Sequence, residues 1–123
     1  MELEEFERLA QEAFDSLPKE LQERVENVHI VVEEQPGMDI VRKMRLPSPG
    51  SLLGLYEGIP LTRRDSNYGV FPVVPDKITL YRKNIARVAG TDDRIRVTIR
   101  DVLIHEIAHH YGMDEDQIRD AGY

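Results

Sequence analysis

Residues 91–112 read Thr-Asp-Asp-Arg-Ile-Arg-Val-Thr-Ile-Arg-Asp-Val-Leu-Ile-His-Glu-Ile-Ala-His-His-Tyr-Gly, and the rest of the chain is best read outward from them. Ile95, Ile99, Val102, Leu103 and Ile107 recur at helical spacing, which predicts a helix over 94–111. Gly90 supplies a break before it, Thr91 a cap, and Asp92 and Asp93 two acids for the positive end of the helix dipole. Gly112 stops the helix as a C′ glycine would. Inside it stands His105-Glu106-Ile107-Ala108-His109. Four residues make just over one turn, so the two imidazoles project from one face and can grip one metal ion. Glu106 is turned by about 100° from His105 and lies beside that ion instead of binding it. There it can take a proton from an attacking water and pass it to a leaving amine. The metal contributes by lowering the pKa of the water bound to it to about 7, so that hydroxide is available at neutral pH. The competing reading is a helix whose two His and one Glu are solvated or make ordinary i,i+4 contacts.

A catalytic zinc takes three protein ligands and keeps one position open. Only eleven residues follow Gly112, so the third ligand is either nearby or upstream. The glycine lets the chain turn under the metal and bring back Glu115, with Asp114 and Asp116 as alternatives if the turn is shaped differently. All three acids also have a structural reading, as cap and dipole partners of a last helix. That helix is predicted because Asp114 and Gln117 have capping-box spacing. His110 is rotated away from the ion and His29 reads as an ordinary strand histidine. Asp101, one turn before His105, is a candidate partner for that ring's other nitrogen or a solvated carboxylate. Tyr111, Tyr68, Arg63, Arg64 and Arg82 are candidates for stabilising an oxyanion, and nothing in the sequence selects one.

Toward the N-terminus, Leu3, Phe6, Leu9, Ala10, Ala13, Phe14 and Leu17 form one face of an amphipathic helix. Pro18 opens a second short one running to about Arg24. The period then changes. Asn27 to Glu33 is rich in β-branched residues and reads as a strand with Val28, Ile30 and Val32 on one face. Two more strands are expected at Leu52–Glu57 and Lys77–Arg82, and a short helix at Asn84–Ala89. Between the strands, Gln35–Ser51 and Gly58–Asp76 are irregular, rich in Pro and Gly, and long enough to form a lid or a binding surface.

At 123 residues the chain has the size of one domain, spanning 1–123, with a core that needs no staples. It contains no cysteine, which excludes disulfides and cysteine metal sites. A net charge of -7 without a Lys/Arg-rich stripe argues against nucleic acid and anionic membrane as partners. The acidic start, Met1-Glu-Leu-Glu-Glu5, is unlike a signal peptide, and no apolar run approaches the length of a membrane span, so a cytoplasmic location is expected.

The run Val102–Gly112, together with Leu52–Thr62 and Pro75–Arg82, resembles the bacterial zincin-like metallopeptidase family of minimal single-domain proteins. The signature of that family is HExxHxxGxx followed by an acidic residue, commonly Asp, where this chain has Glu115. The resemblance extends from about Val25 to the end. It implies an α+β fold: N-terminal helices, a small mixed sheet of three or four strands, the HExxH active-site helix, and a short C-terminal helix. It implies Zn2+ as cofactor, His105, His109 and Glu115 as its ligands, and Glu106 as the catalytic acid/base of a peptidase or amide hydrolase. A peptide or protein substrate would then dock as an added strand along a sheet edge. Ile78–Tyr81 is the candidate edge, with an interior strand as its alternative, and Gly58–Asp76 the lid. The alternative function is a non-catalytic zinc-binding module for a peptide or partner. A purely structural site has no use for an acid/base at Glu106 and is usually closed by a fourth ligand, often the cysteine this chain lacks.

Overall fold

The computed structural model describes residues 1–25, 27–58 and 76–123. Over these the chain forms α1 (Leu3–Asp15), α2 (Lys19–Gln22), β1 (Val28–Glu33), α3 (Met38–Lys43) and a 3-10 turn (Pro49–Ser51). It continues as β2 (Gly54–Glu57), β3 (Asp76–Tyr81), α4 (Arg82–Ala89), α5 (Asp92–His110) and α6 (Glu115–Asp120). The fold is α+β, as expected, with a mixed three-stranded sheet in the order β1-β3-β2. β1 runs parallel to β3 and β2 antiparallel to it. No helix among the described residues is long and apolar enough to cross a membrane.

The helix α5 is the spine. Ile95, Ile99, Leu103 and Ile107 along it are each at most 1% exposed, and burying a side chain of this size stabilises the fold by about 1.5–3 kcal/mol. Against it lie Phe6, Leu9, Ala10 and Ala13 of α1, Ile85 of α4, and Ile78 and Leu80 of β3. The register sets Ile30 opposite Ile78 and Val32 opposite Leu80, so Val28, Ile30 and Val32 join the same helix-covered face. That is the face their alternation predicts.

Two expectations change. Ile78–Tyr81 is not an edge: β3 is the central strand, hydrogen-bonded on both sides. Its four consecutive residues Ile78, Thr79, Leu80 and Tyr81 are all buried. A strand without polar alternation belongs in the interior. The stretch Gln35–Ser51 is not wholly irregular either, since it contains α3 and the 3-10 turn. α3 buries no residue completely and has no side-chain cap, so neither periodicity nor capping announces it. Of Gly58–Asp76, the expected lid, residues 59–75 lie outside the described residues.

Asn84 sets where β2 begins. Its buried side chain donates to the carbonyls of Pro49 (2.8 Å) and Leu52 (2.7 Å) and accepts from Gln35 (3.3 Å). Asn84→Ala leaves two carbonyls without their donor. It is expected to lower the unfolding free energy by about 2–4 kcal/mol in chemical denaturation, whereas Val97→Ala on the exposed face of α5 changes it by less than about 0.5 kcal/mol.

Candidate metal centre

The C-terminus of α5 builds the site. Gly112, at φ 85°, ends the helix as expected. The Met113 N–H returns to the Ala108 carbonyl (3.0 Å) and the Gly112 N–H to that of His109 (2.9 Å), a Schellman turn. This turn brings the Met113 carbonyl back to the helix, where the Nδ1–H of His109 donates to it at 2.9 Å. His105 is held in the same way one turn earlier, its Nδ1–H donating to the Asp101 carbonyl at 2.8 Å. The partner is thus the backbone of Asp101, not the carboxylate that its spacing suggests. A ring anchored through Nδ1–H presents the lone pair of Nε2, the form in which imidazole binds metals.

Both Nε2 atoms face Glu115. His105 Nε2 is 3.3 Å from Oε2 and His109 Nε2 is 3.0 Å from Oε1. Neutral imidazole lone pairs and carboxylate oxygens are all acceptors, so they hold one another only through protons on both rings or through a cation among the three groups. Two ligands of a tetrahedral zinc, each about 2.0–2.1 Å from it, stand about 3.3 Å apart, the size of the separations seen here. Among the described residues no three such side chains stand as an assembled metal shell: Glu115 touches the imidazoles directly, and a bound ion would take the place of those contacts. The donor set fits zinc on chemistry as well, with two nitrogens and one carboxylate. The three side chains are 37, 44 and 66% exposed, which leaves an open side toward solvent.

The neighbouring acids are otherwise engaged. Asp114 caps α6, accepting from the Gln117 N–H at 2.8 Å, while Gln117 accepts from the Asp114 N–H at 2.8 Å. The expected capping box is present. Asp116 pairs with Arg119.

A family model described as zincin-like metallopeptidase matches residues 25–123. The chain belongs to that family. Zincin-like metallopeptidases generally bind zinc. No curated protein matches the chain.

Within this zincin-like site, Glu106 stands apart from the imidazole–carboxylate group. Its carboxyl is raised above the ordinary range by burial, opposed by the N–H of Tyr56 that donates to it and by His109 and His105. Tyr56 is the residue that the sequence reading missed. It lies on β2, its ring stacks on His110 at 3.8 Å, and its hydroxyl donates to Asp76 at 2.8 Å. The signal was Gly54-x-Tyr56-x-Gly58, two small residues flanking an aromatic on one face of a strand. Of the oxyanion candidates, Tyr111 donates to the Arg24 carbonyl and Arg82 pairs with Glu34 at 2.8 Å. Tyr68, Arg63 and Arg64 lie outside the described residues. His29 lies on β1, in the strand that its surroundings predict.

A carboxyl raised by burial binds its proton more tightly folded than unfolded, so its ionisation costs stability. That cost is absent below the unfolded value and develops as pH rises through the folded one. In zinc-free protein, Glu106→Gln is therefore expected to be more stable than wild type at neutral pH, with a difference that shrinks on acidification. Parallel denaturation series at several pH values check this.

Proposed function

We propose that this chain is a zinc-dependent peptidase or amide hydrolase, in which His105 Nε2, His109 Nε2 and the Glu115 carboxylate hold the ion and Glu106 moves the proton. The observation that carries the reading is the position of Glu106. It is half-buried beside the two imidazoles, takes no part in their contacts with Glu115, and is held at the sheet by the Tyr56 N–H. Zinc bound there would supply a Lewis acid for the substrate carbonyl and acidify the attacking water. The Glu106 carboxylate accepts that water's proton and returns it to the departing nitrogen, for which a raised carboxyl is better matched to neutral pH than an ordinary one. The engagement of Asp114 as a cap and of Asp116 with Arg119 supports Glu115 as the third ligand.

The strand along which a peptide would dock is β2 instead of β3. The Tyr81 N–H donates to the Leu53 carbonyl at 3.0 Å. Alternation then makes Leu55 and Glu57 the residues bonded to β3 and turns the backbone groups of Gly54 and Tyr56 away from it. That outer side carries Glu106, so an extended peptide added there places its backbone at the acid/base. The open side of the site and an acid/base outside the ligand set both favour catalysis over a zinc-binding module.

Glu106→Gln is expected to retain one zinc per chain and lose about 10²–10⁴-fold in peptide turnover, measured by elemental analysis and by cleavage of a peptide library. Full hydrolysis by the loaded Glu106→Gln variant would remove the acid/base assignment.

A further inference from the structure

Val102, Glu106 and His110 fall at i, i+4 and i+8 on α5, while Gly54, Tyr56 and Gly58 alternate along β2 and the residue that follows it. Four helical residues rise about 6 Å and two strand residues about 6.6–6.8 Å, so a helical stripe and one face of a strand can run side by side residue for residue. They do so here. A Cβ on Gly54 would meet Val102 Cγ1 at 2.7 Å and Glu106 Cγ at 3.5 Å, and one on Gly58 would meet His110 Cε1 at 3.1 Å. Between the two glycines, Tyr56 meets the stripe twice: its N–H reaches Glu106 and its ring lies on His110, 3.8 Å between centroids and 16° between planes. Tyr111 also meets the His110 ring, edge-on at 5.1 Å between centroids. Among the described residues, the His110 ring nitrogens make no hydrogen bond, so its contacts are those of a flat ring.

We propose that His110 is a positioning residue: its ring, stacked on Tyr56, holds the outer edge of β2 within reach of the Glu106 carboxylate. β2 is only four residues long and is paired, among the described residues, with β3 alone. Gly54 gives close approach at its start but no side chain to grip. The stack supplies that grip at the other end, one helical turn beyond Glu106. A stacked aromatic pair is directional and resists sliding, so the Tyr56 backbone stays in register with the acid/base. The consequence for turnover rests on the peptidase reading; the positioning itself does not.

The test uses the full chain and the variants His110→Ala and His110→Phe, the second keeping a flat ring without its nitrogens. In His110→Ala the Tyr56 amide is expected to exchange with solvent about tenfold faster by NMR, while that of Ile78 in the central strand is unchanged. His110→Phe restores protection to within about twofold. In peptide cleavage, His110→Ala lowers kcat/KM by about tenfold at unchanged zinc content, and His110→Phe recovers most of it. An unaltered Tyr56 amide in His110→Ala would overturn the proposal. So would a His110→Phe variant as impaired as His110→Ala, which would make the ring nitrogens the working part. Absence of hydrolysis in every chain, with the exchange pattern intact, would sink the peptidase reading and leave His110 in its positioning role.

Discussion

One helix has to serve as both core and chemistry. The stripe Ile95, Ile99, Leu103, Ile107 of α5 is buried against α1, α4 and the sheet, and that burial fixes the rotation of the helix about its axis. Once the rotation is fixed, the directions of His105, Glu106, His109 and His110 follow from about 100° per residue. The imidazoles emerge at the solvent side, and Glu106 and His110 turn toward β2. A half-turn error in packing would bury the histidines and expose the isoleucines, so the hydrophobic term that stabilises the domain also orients its reactive groups.

The C-terminal end of that helix was legible because it rests on local chemistry, whereas Thr91, expected as the cap of the other end, sits there without a side-chain cap hydrogen bond. Gly112 has a positive φ that other residues rarely adopt, and Asp114 and Gln117 satisfy one another's backbone N–H groups. Local rules also carried Val28, Ile30 and Val32 to one face of β1. The partner of His105 was half legible: Asp101 lies one turn away, as the spacing requires, but the acceptor is its carbonyl, and a carbonyl leaves no mark in a sequence. The same holds for Met113, whose backbone orients His109.

What the sequence concealed was long-range. Strand order depends on which strands share hydrogen bonds, and β3 precedes α5 in the chain without flanking the candidate site. Its unbroken Ile-Thr-Leu-Tyr run was the available sign of an interior strand. The contact of β2 with α5 needs the two periods of helix and strand to coincide in space. Gly54, Tyr56 and Gly58 make sense only when Val102, Glu106 and His110 are set beside them. α3, with no fully buried residue, escaped for the opposite reason, having too little apolar surface to leave a pattern.

The central claim is that the His105 and His109 Nε2 atoms and the Glu115 carboxylate converge on a single zinc ion. The most direct test is the zinc content and affinity of untagged protein, stripped with chelator and reloaded, for wild type, His109→Ala and Glu115→Ala. The account predicts one zinc per wild-type chain, loss of binding in His109→Ala and weakened binding in Glu115→Ala. A wild type that takes up no zinc at micromolar free metal, or a Glu115→Ala variant that binds as tightly as wild type, would contradict it.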